Sequence, residues 1–301
     1  MLLCIGEILA DMIGEEKNGI TTYERKAGGA PFNVACALKK FGADVKFVGS
    51  VGDDLIGTFL INYAKDFGMD TTYIDQNADR NTTLAFVELN EAGERSFCFY
   101  RKNTADYVMP QVSDALLRSA DTVCIGSLML ADEKCVEYAL DIIERAQAFG
   151  KTVAFDVNYR TDIYRDTDSA VKTYKRILAE ADIVKFSEDE VETFTEDYVN
   201  SLSDKLVLIT LGANGSEWRY KGKKNRMPTI PVKPIDTTGA GDAFFAGALS
   251  VLDRNAGNPL TEQTLNDAIR FGNVAGALNT TGRGAIDHLP NLETIQKYLD
   301  R

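Results

Sequence analysis

The chain has 301 residues, of which 45% are hydrophobic and 26% are charged, close to the values for globular proteins. This composition excludes a disordered chain, a collagen and a disulfide-dense scaffold, and the length allows one large domain or two smaller ones. Asp and Glu number 45 against 33 Lys and Arg, which gives a formal net charge of -12. Because so acidic a surface repels nucleic acid and anionic lipid, we expect neither as a partner.

The N-terminal segment and the cysteines favour a cytoplasmic protein. The segment MLLCIGEILADMIGEE lacks the basic region and the cleavage site of a secretory signal, and its apolar run is too short to span a bilayer. The five cysteines are scattered without a C-x-x-C pair, and most lie in apolar runs, which argues against structural zinc. The basic cluster of Lys221, Lys223, Lys224 and Arg226 is interpreted as a solvated turn.

Short apolar runs alternate with helix-length amphipathic segments along most of the chain. The predicted buried strands are LLCIGEIL, VKFVGSV, DTVCIGSLML, TVAFDVN, DIVKF and KLVLITL. The predicted helices cover 32–41, 55–67, 133–149, 169–180, 188–198, 242–253 and 262–279. This alternation predicts an α/β fold with an open, mostly parallel sheet and helices on both faces, which binds ligands beyond the carboxyl ends of its strands.

Two stretches interrupt the alternation, at residues 10–27 and 82–101. The second is predicted to be a hairpin with strands TTLAFVEL and RSFCFYR, in which Leu84, Phe86, Phe97 and Phe99 share one face. We interpret the two stretches as one small β lid inserted into a single domain that spans residues 1–301. The alternative is a pair of separate edge hairpins.

The strongest chemical pattern is the segment DTTGAGDAF at 236–244. Its glycines let the backbone N–H groups of Gly239, Ala240 and Gly241 turn toward an anion at the positive end of the helix that follows. Asp242 lies among these donors, where a carboxylate is useful if it takes a proton from an attacking hydroxyl group. The alternative is that Asp242 only caps the helix.

A second glycine turn, GGAPFNVA at 28–35, also opens a helix and places Asn33 in its first turns. Together, the two segments resemble the signature regions of the ribokinase-like (phosphofructokinase-B type) carbohydrate kinases, and the resemblance covers essentially the whole chain. The pieces GEILADMI, DVNYR, KFSEDE and GRGAIDHLP resemble the fructokinases of bacteria and plants in particular. The sequence has no G-x-x-x-x-G-K-[ST] loop and no protein-kinase signature, so the glycine turn before Asp242 is left to hold the phosphates.

The resemblance implies a ribokinase-like fold and an ATP-dependent sugar kinase, most similar to fructokinases, with Asp242 as the general base. It implies sugar contacts at Asp11, Gly28, Gly29, Asn33, Arg101 and Arg160. It implies nucleotide contacts at Asn158, Ser187, Thr210, Gly212, Gly215 and Asn273. For Arg101 and Arg160, a surface ion pair is an equally good interpretation.

The resemblance also implies metal ions. Glu190 matches the acid of the family's N-x-x-E element, which organises Mg²⁺ through water, and Ser187 replaces its asparagine, as in many fructokinase-like members. Asp236 and Thr238 resemble a loop that binds a monovalent cation such as K⁺. His288 lies outside every motif and is interpreted as structural, and Trp218 is interpreted as a packed strand residue.

Three further expectations concern function and assembly. The alternative within the family is a 2-keto-3-deoxygluconate kinase, in which Arg101 and Arg160 hold the carboxylate of the substrate. The alternative of another class is a non-catalytic sugar-binding protein on the same fold, although an intact Asp242 argues against it. We also expect a homodimer, because pairing of two lids buries their apolar faces.

Overall fold

The structure, a computed structural model, describes residues 1–89, 95–164 and 166–300, without the side chains of residues 17, 88, 89 and 95–97. Its strands in chain order are β1 (Leu2–Ile5), β2 (Leu9–Lys17), β3 (Ile20–Gly28), β4 (Val45–Gly52), β5 (Ile74–Asn77), β6 (Leu84–Leu89), β7 (Arg95–Tyr100), β8 (Thr122–Ile125), β9 (Thr152–Asp156), β10 (Ile183–Ser187), β11 (Leu206–Thr210), β12 (Ser216–Tyr220) and β13 (Lys223–Met227). Its helices are α1 (Ala30–Lys40), α2 (Leu55–Asp66), α3 (Asp114–Ser119), α4 (Glu133–Ala148), α5 (Thr167–Glu180), α6 (Glu188–Phe194), α7 (Glu196–Ser201), α8 (Ala240–Arg254), α9 (Glu262–Asn279) and α10 (Leu292–Leu299).

The predicted open, mostly parallel sheet is confirmed. Nine strands pair in the order β13-β12-β11-β10-β9-β8-β1-β4-β5, and the pairs from β11 to β5 are all parallel. Only β12 and β13 join in antiparallel pairs. Because parallel neighbours need a crossover connection, the intervening helices are distributed over both faces of the sheet.

Both faces of this sheet are buried, as the continuous apolar runs predicted. Leu2 and Cys4 of β1 pack into the core beneath α1, α8 and α9, whereas Leu3 and Ile5 pack into the core beneath α4 and α5. This alternation places a separate apolar layer on each side of the sheet. No helix among the described residues is both long enough and apolar enough to cross a membrane.

Three predictions about the main sheet and its helices were wrong. The predicted helix at 188–198 is two helices, because Thr195 has a φ of 73° and its side chain accepts the N–H of Tyr198 to begin α7. The predicted strands LLCIGEIL and DTVCIGSLML are strands only over their first residues, to Ile5 and Ile125. The third error is the basic cluster at 221–226.

This cluster belongs mostly to an exposed strand and not to a turn. Lys223, Lys224 and Arg226 lie on β13, which pairs with β12 at the edge of the main sheet, and only Lys221 lies in the connecting turn. Charged side chains on an edge strand discourage another strand from pairing there. Trp218 of β12 is buried, as predicted.

A second, four-stranded sheet combines the two stretches that interrupt the alternation. Its strand order is β3-β2-β6-β7, and β2 pairs with β6 in parallel. Within the hairpin, the register pairs Phe86 with Cys98 and Ala85 with Phe99. Since directly opposed residues share a face, Phe86 and Phe99 lie on opposite faces, and the predicted single apolar face was wrong. The side chain of Phe97 lies outside the described residues.

The two faces of this small sheet have different surroundings. Leu9, Asp11 and Phe99 line the cavity described below. On the opposite face, the Phe86 ring contacts Tyr23 and Tyr100, with centroid distances of 5.0 and 5.2 Å. Tyr100 remains 62% exposed, so this outer face is aromatic and largely open.

Candidate active site

The candidate active site is a cavity of about 390 Å³ at the carboxyl ends of β9, β10 and β11, between the small sheet and the start of α8. Open α/β sheets bind their ligands at this edge. The structure brings most of the predicted site residues into this one cavity. They are Asp11, Gly29, Asn33, Asn158, Arg160, Ser187, Glu190, Thr210, Thr238, Gly239, Gly241 and Asp242.

Asp242 lies in the first turn of α8, which Gly239 opens with a left-handed φ of 73°. Asn33 Nδ2 donates a hydrogen bond of 2.8 Å to Asp242 Oδ2 and thereby orients the carboxyl group. Burial raises the pKa of Asp242, while the hydrogen bond from Asn33 and the positive charges of Lys185 and Arg160 oppose this rise. A raised pKa makes an ionised carboxylate a stronger base, which suits it to accept a proton.

A second aspartate, Asp236, fixes the conformation of the turn before Asp242 through hydrogen bonds. Asp236 Oδ1 accepts the N–H of Thr238 over 2.7 Å, and Oδ2 accepts the N–H of Gly284 over 2.9 Å. A Cβ atom on Gly239 would lie 2.7 Å from the Cα atom of Ala285, so only glycine fits at this position. Gly239 and Gly241 of this turn line the cavity, whereas the N–H of Ala240 donates to the carbonyl oxygen of Thr237 over 3.2 Å. The N–H groups on either side of Ala240 are therefore the ones placed to meet an anion in the cavity.

Asp11 reaches the cavity from β2, and the neighbouring strand makes room for it. A Cβ atom on Gly28 would lie 2.3 Å from Asp11 Oδ2, and one on Gly29 would lie 2.5 Å from the carbonyl oxygen of Glu7. Gly28 itself does not line the cavity. Its effect is to leave the space that the Asp11 carboxyl group occupies.

The two predicted arginines have different positions. Arg160 is exposed and lines the cavity. Arg101 is 7% exposed and lies outside it, where its Nε donates to Asp106 Oδ2 over 2.6 Å and its Nη1 donates to Tyr107 Oη over 2.8 Å. The ion pair that was the alternative interpretation of Arg101 is therefore present, but in the interior and not on the surface.

A second cavity of about 390 Å³ adjoins the first and shares Thr210, Thr237 and Gly241 with it. The remaining predicted nucleotide residues and one predicted phosphate donor line this groove: Gly212, Gly215, Asn273 and Ala240. Its walls are mostly apolar side chains of 230–234 and the facing surface of α8 and α9. A cavity with apolar walls beside a helix N-terminus can hold a planar base against the walls and phosphates at the helix end.

Ser187 and Glu190 form a capping box at the start of α6. Glu190 Oε2 accepts the N–H of Ser187 over 2.7 Å, Glu190 Oε1 accepts the N–H of Tyr159 over 2.7 Å, and Ser187 Oγ accepts the N–H of Glu190. In the described ranges, no group of three or more His, Cys, Asp or Glu side chains is arranged to hold a metal ion.

Two parts of the site were not predicted. Lys185 lines the cavity and forms an ion pair with Asp156, with Nζ to Oδ1 at 3.0 Å. The sequence did contain a sign of it, because a lysine interrupts the apolar run of a predicted buried strand. The wall at 229–234 lies outside helices and strands, and no periodic pattern marks it.

Comparison with known proteins agrees with this geometry. The profile of the pfkB family carbohydrate kinases matches residues 1–292. A probable fructokinase-5 of Arabidopsis thaliana is 35% identical, over 99% of this chain and 97% of its own length. Among solved structures, the ATP-bound fructokinase of Xylella fastidiosa is 30% identical with a TM-score of 0.90, over 99% of this chain and 98% of that one.

A fructokinase of Vibrio cholerae, solved with fructose, ADP and calcium ion, is 31% identical with a TM-score of 0.88, over 99% of this chain and 98% of that one. The similarity thus extends over the main sheet, the small sheet and both cavities. The family that the two glycine segments predicted is confirmed by the match over residues 1–292. This chain belongs to the pfkB family of carbohydrate kinases.

Proposed function

We propose that this protein is a fructokinase, which transfers the γ-phosphoryl group of ATP to D-fructose and forms fructose 6-phosphate and ADP. The observation that carries the proposal is the position of Asp242, where the cavity that contains Asp11 meets the groove that contains Asn273. The names of the similar proteins support the same substrate. No observation favours a 2-keto-3-deoxygluconate kinase or a non-catalytic protein.

The geometry supports direct transfer in a single step. A sugar hydroxyl group held beside Asp11 loses its proton to the Asp242 carboxylate, and its oxygen attacks the γ-phosphorus. The new O–P bond forms as the bond from the γ-phosphorus to the β,γ-bridging oxygen breaks, which releases ADP. The N–H groups at 239–241 stabilise the charge on the phosphoryl oxygens, and Asn33 keeps the carboxylate oriented.

We propose Mg²⁺ as the ion that accompanies ATP, with Glu190 as its contact through water. The Glu190 carboxylate already accepts hydrogen bonds from two backbone N–H groups. Its remaining lone pairs can accept hydrogen bonds from the water ligands of Mg²⁺, so we propose no direct bond between Glu190 and the ion. Bound Mg²⁺ would neutralise charge on the phosphates. A monovalent cation beside Asp236 and Thr238, and a cytoplasmic location, also remain proposals.

The activity is tested with a coupled assay that measures ADP formation from ATP with a panel of ketoses, aldoses and sugar acids. We expect fructose to give the highest kcat/KM. A higher kcat/KM with 2-keto-3-deoxygluconate would contradict the fructokinase assignment and retain the kinase assignment. ADP formation that no sugar stimulates would contradict both.

Asp11→Ala is expected to weaken binding of the sugar and not of ATP. A carboxylate accepts two hydrogen bonds from neighbouring hydroxyl groups, and their loss raises the fructose KM about 10–100-fold. The ATP KM should change less than about threefold, since Asp11 lies on the small sheet and does not line the second groove. Glu144→Ala, which removes an exposed carboxylate on α4, is the control and should change neither constant. An equal rise in both constants would exclude Asp11 from the sugar site.

We further propose that the small sheet closes over the sugar and that its outer face joins two copies into a homodimer. Tyr23, Phe86 and Tyr100 form an aromatic cluster on this face, in which Tyr23 is 39% and Tyr100 is 62% exposed. Contact between two such faces across a two-fold axis removes this apolar surface from water. Closure would also exclude water that competes with the sugar for the phosphoryl group.

The double variant Phe86→Ser with Tyr100→Ser is therefore expected to dissociate the dimer. Sedimentation equilibrium should show a dissociation constant at least about 100-fold higher, since two buried aromatic side chains are lost. Leu292→Ser, on α10, removes an exposed apolar side chain elsewhere and serves as the control. A wild-type protein that stays monomeric, or a variant that dimerises as the wild type does, would refute the proposed interface.

A further inference from the structure

The interior of strand β10 contains one charged side chain. Its residues Ile183, Val184 and Phe186 are apolar and buried, but Lys185 between them is also only 5% exposed. Lys185 is the one lysine among the described residues that is buried. Its ammonium group nevertheless belongs to the wall of the cavity that contains Asp242.

The register of the main sheet explains the position of this ammonium group. Lys185 lies directly beside Asp156 of β9, and Nζ donates to Oδ1 and Oδ2 of that carboxylate over 3.0 and 3.1 Å. A Cβ atom built on Gly241 would lie 3.1 Å from Nζ. The ammonium group therefore lies between the Asp156 carboxylate and the glycine turn, with at least one N–H left for a ligand.

The charges around the cavity need such a cation. Three carboxyl groups, those of Asp156, Glu190 and Asp242, interact with Lys185, and the phosphates of a nucleotide add further negative charge. Burial lowers the pKa of Lys185, but the three carboxyl groups more than compensate and raise it, so the side chain keeps its positive charge. Among the residues that the structure describes, Arg160 is the other cation that lines the cavity, and it is exposed, so water screens its charge.

Stability alone does not account for this ion pair. A buried ion pair in a sheet interior generally contributes no more stability than two apolar side chains of similar volume. Ala154 and Ile183, which share the face of Asp156 and Lys185 on these two strands, are apolar and buried. A role for the charge in the cavity is the better explanation.

We propose that Lys185 is a further catalytic residue, whose ammonium group contacts the γ-phosphoryl group during its transfer, and that Asp156 is the residue that positions it. This inference rests on the proposed kinase activity. Lys185 remains protonated throughout: the proton of the sugar hydroxyl group passes to Asp242, and the electron pair of the breaking bond stays on the β-phosphate of ADP. The ammonium group stabilises the negative charge on the oxygens of the phosphoryl group while it is transferred.

The experiment compares Lys185→Met, which keeps the length and removes the charge, with Lys185→Arg, which keeps the charge. Nucleotide binding is measured by calorimetry without sugar, using ADP and a non-hydrolysable ATP analogue. We expect Lys185→Met to weaken binding of the analogue about 10-fold more than binding of ADP, and to lower kcat about 10²–10³-fold. Lys185→Arg should restore part of both losses. Lys297→Met, on the exposed surface of α10, is the control.

Lys185→Met leaves the Asp156 carboxyl group buried without its partner, so the double variant Lys185→Met with Asp156→Leu is measured beside it. This variant restores an apolar pair and should fold while keeping the selective loss of analogue binding. Equal losses for ADP and the analogue, or kcat within about threefold of wild type, would overturn the proposal. The proposal would also be overturned if Lys185→Met bound the analogue as the wild type does and only shifted the low-pH side of the kcat profile. Lys185 would then act only by changing the pKa of Asp242.

The binding measurements separate this proposal from the assignment of the sugar. Wild-type protein that binds both nucleotides but phosphorylates no ketose would refute the fructokinase assignment and leave the test of Lys185 intact. Wild-type protein that binds neither nucleotide would refute both.

Discussion

Asp242→Asn is expected to lower kcat roughly 10²–10⁴-fold while the affinity for fructose stays nearly unchanged. The amide has the size of the carboxyl group but cannot accept the proton of the sugar hydroxyl group. Asn33 Nδ2 can still donate to the remaining oxygen, so the local structure should persist. Steady-state kinetics measure kcat, and calorimetry with fructose measures the affinity.

Asp253→Asn supplies the matched control, because Asp253 lies on the same helix near its other end. It should leave kcat unchanged. An Asp242→Asn variant that keeps more than about a tenth of the wild-type kcat would refute the role of Asp242 as general base. An equally large loss of fructose affinity would instead indicate a binding role.

Glu7→Gln is expected to remove a large dependence of stability on pH. Glu7 is fully buried, neither of its carboxyl oxygens has a hydrogen-bond partner among the described residues, and burial raises its pKa to about 8 against the opposing charge of Arg101. The folded protein therefore holds a proton on Glu7 that the unfolded chain has released above about pH 4.5. Stability from this group is complete below that pH and is lost as the pH rises toward about 8.

From about pH 4.5 to about pH 8, the free energy of unfolding of the wild type should fall by up to about 1.4 kcal/mol per pH unit relative to that of Glu7→Gln. Chemical denaturation at intervals from about pH 5 to about pH 9 measures the difference, which should grow with pH in favour of the variant. Glu144→Gln, an exposed side chain on α4, is the control. A difference that stays constant with pH, or that grows toward low pH, would refute a protonated Glu7.

The sequence was most informative where function depends on neighbouring residues of the chain. Gly239, Gly241 and Asp242 lie within one turn, and the chemistry of that turn follows from local backbone conformation and the start of a helix. Asn33 was recognised for the same reason. Each of these residues lines the predicted cavity.

The sequence was less informative where the register between strands determines which side chains meet. Lys185 meets Asp156 only because β9 and β10 are neighbours with that particular alignment. In the same way, the register of the hairpin determines which side chains share a face, and it pairs Phe86 with Cys98 and not with a residue next to Cys98. A shift of one residue exchanges the two faces, and alternation within each strand cannot show which register is adopted.

The interior position of Arg101 illustrates a related difficulty. An arginine at the end of a predicted hairpin is ordinarily exposed, because burial of its charge is costly. Asp106 offsets that cost, and it belongs to a short turn beyond the hairpin that the sequence pattern did not reveal. The hydrophobic periodicity of a sequence predicts helices and strands, but it does not predict which polar side chains a loop brings together.

The shared wall between the two cavities has a consequence for inhibitor design. Because Thr210, Thr237 and Gly241 line both cavities, the space beneath the small sheet and the apolar groove lie side by side. A single molecule that joins a ketose to adenosine through a short phosphate chain would fill both cavities. Once one end is bound, the other is held at a high effective concentration, so the linked molecule should bind far more tightly than either half alone.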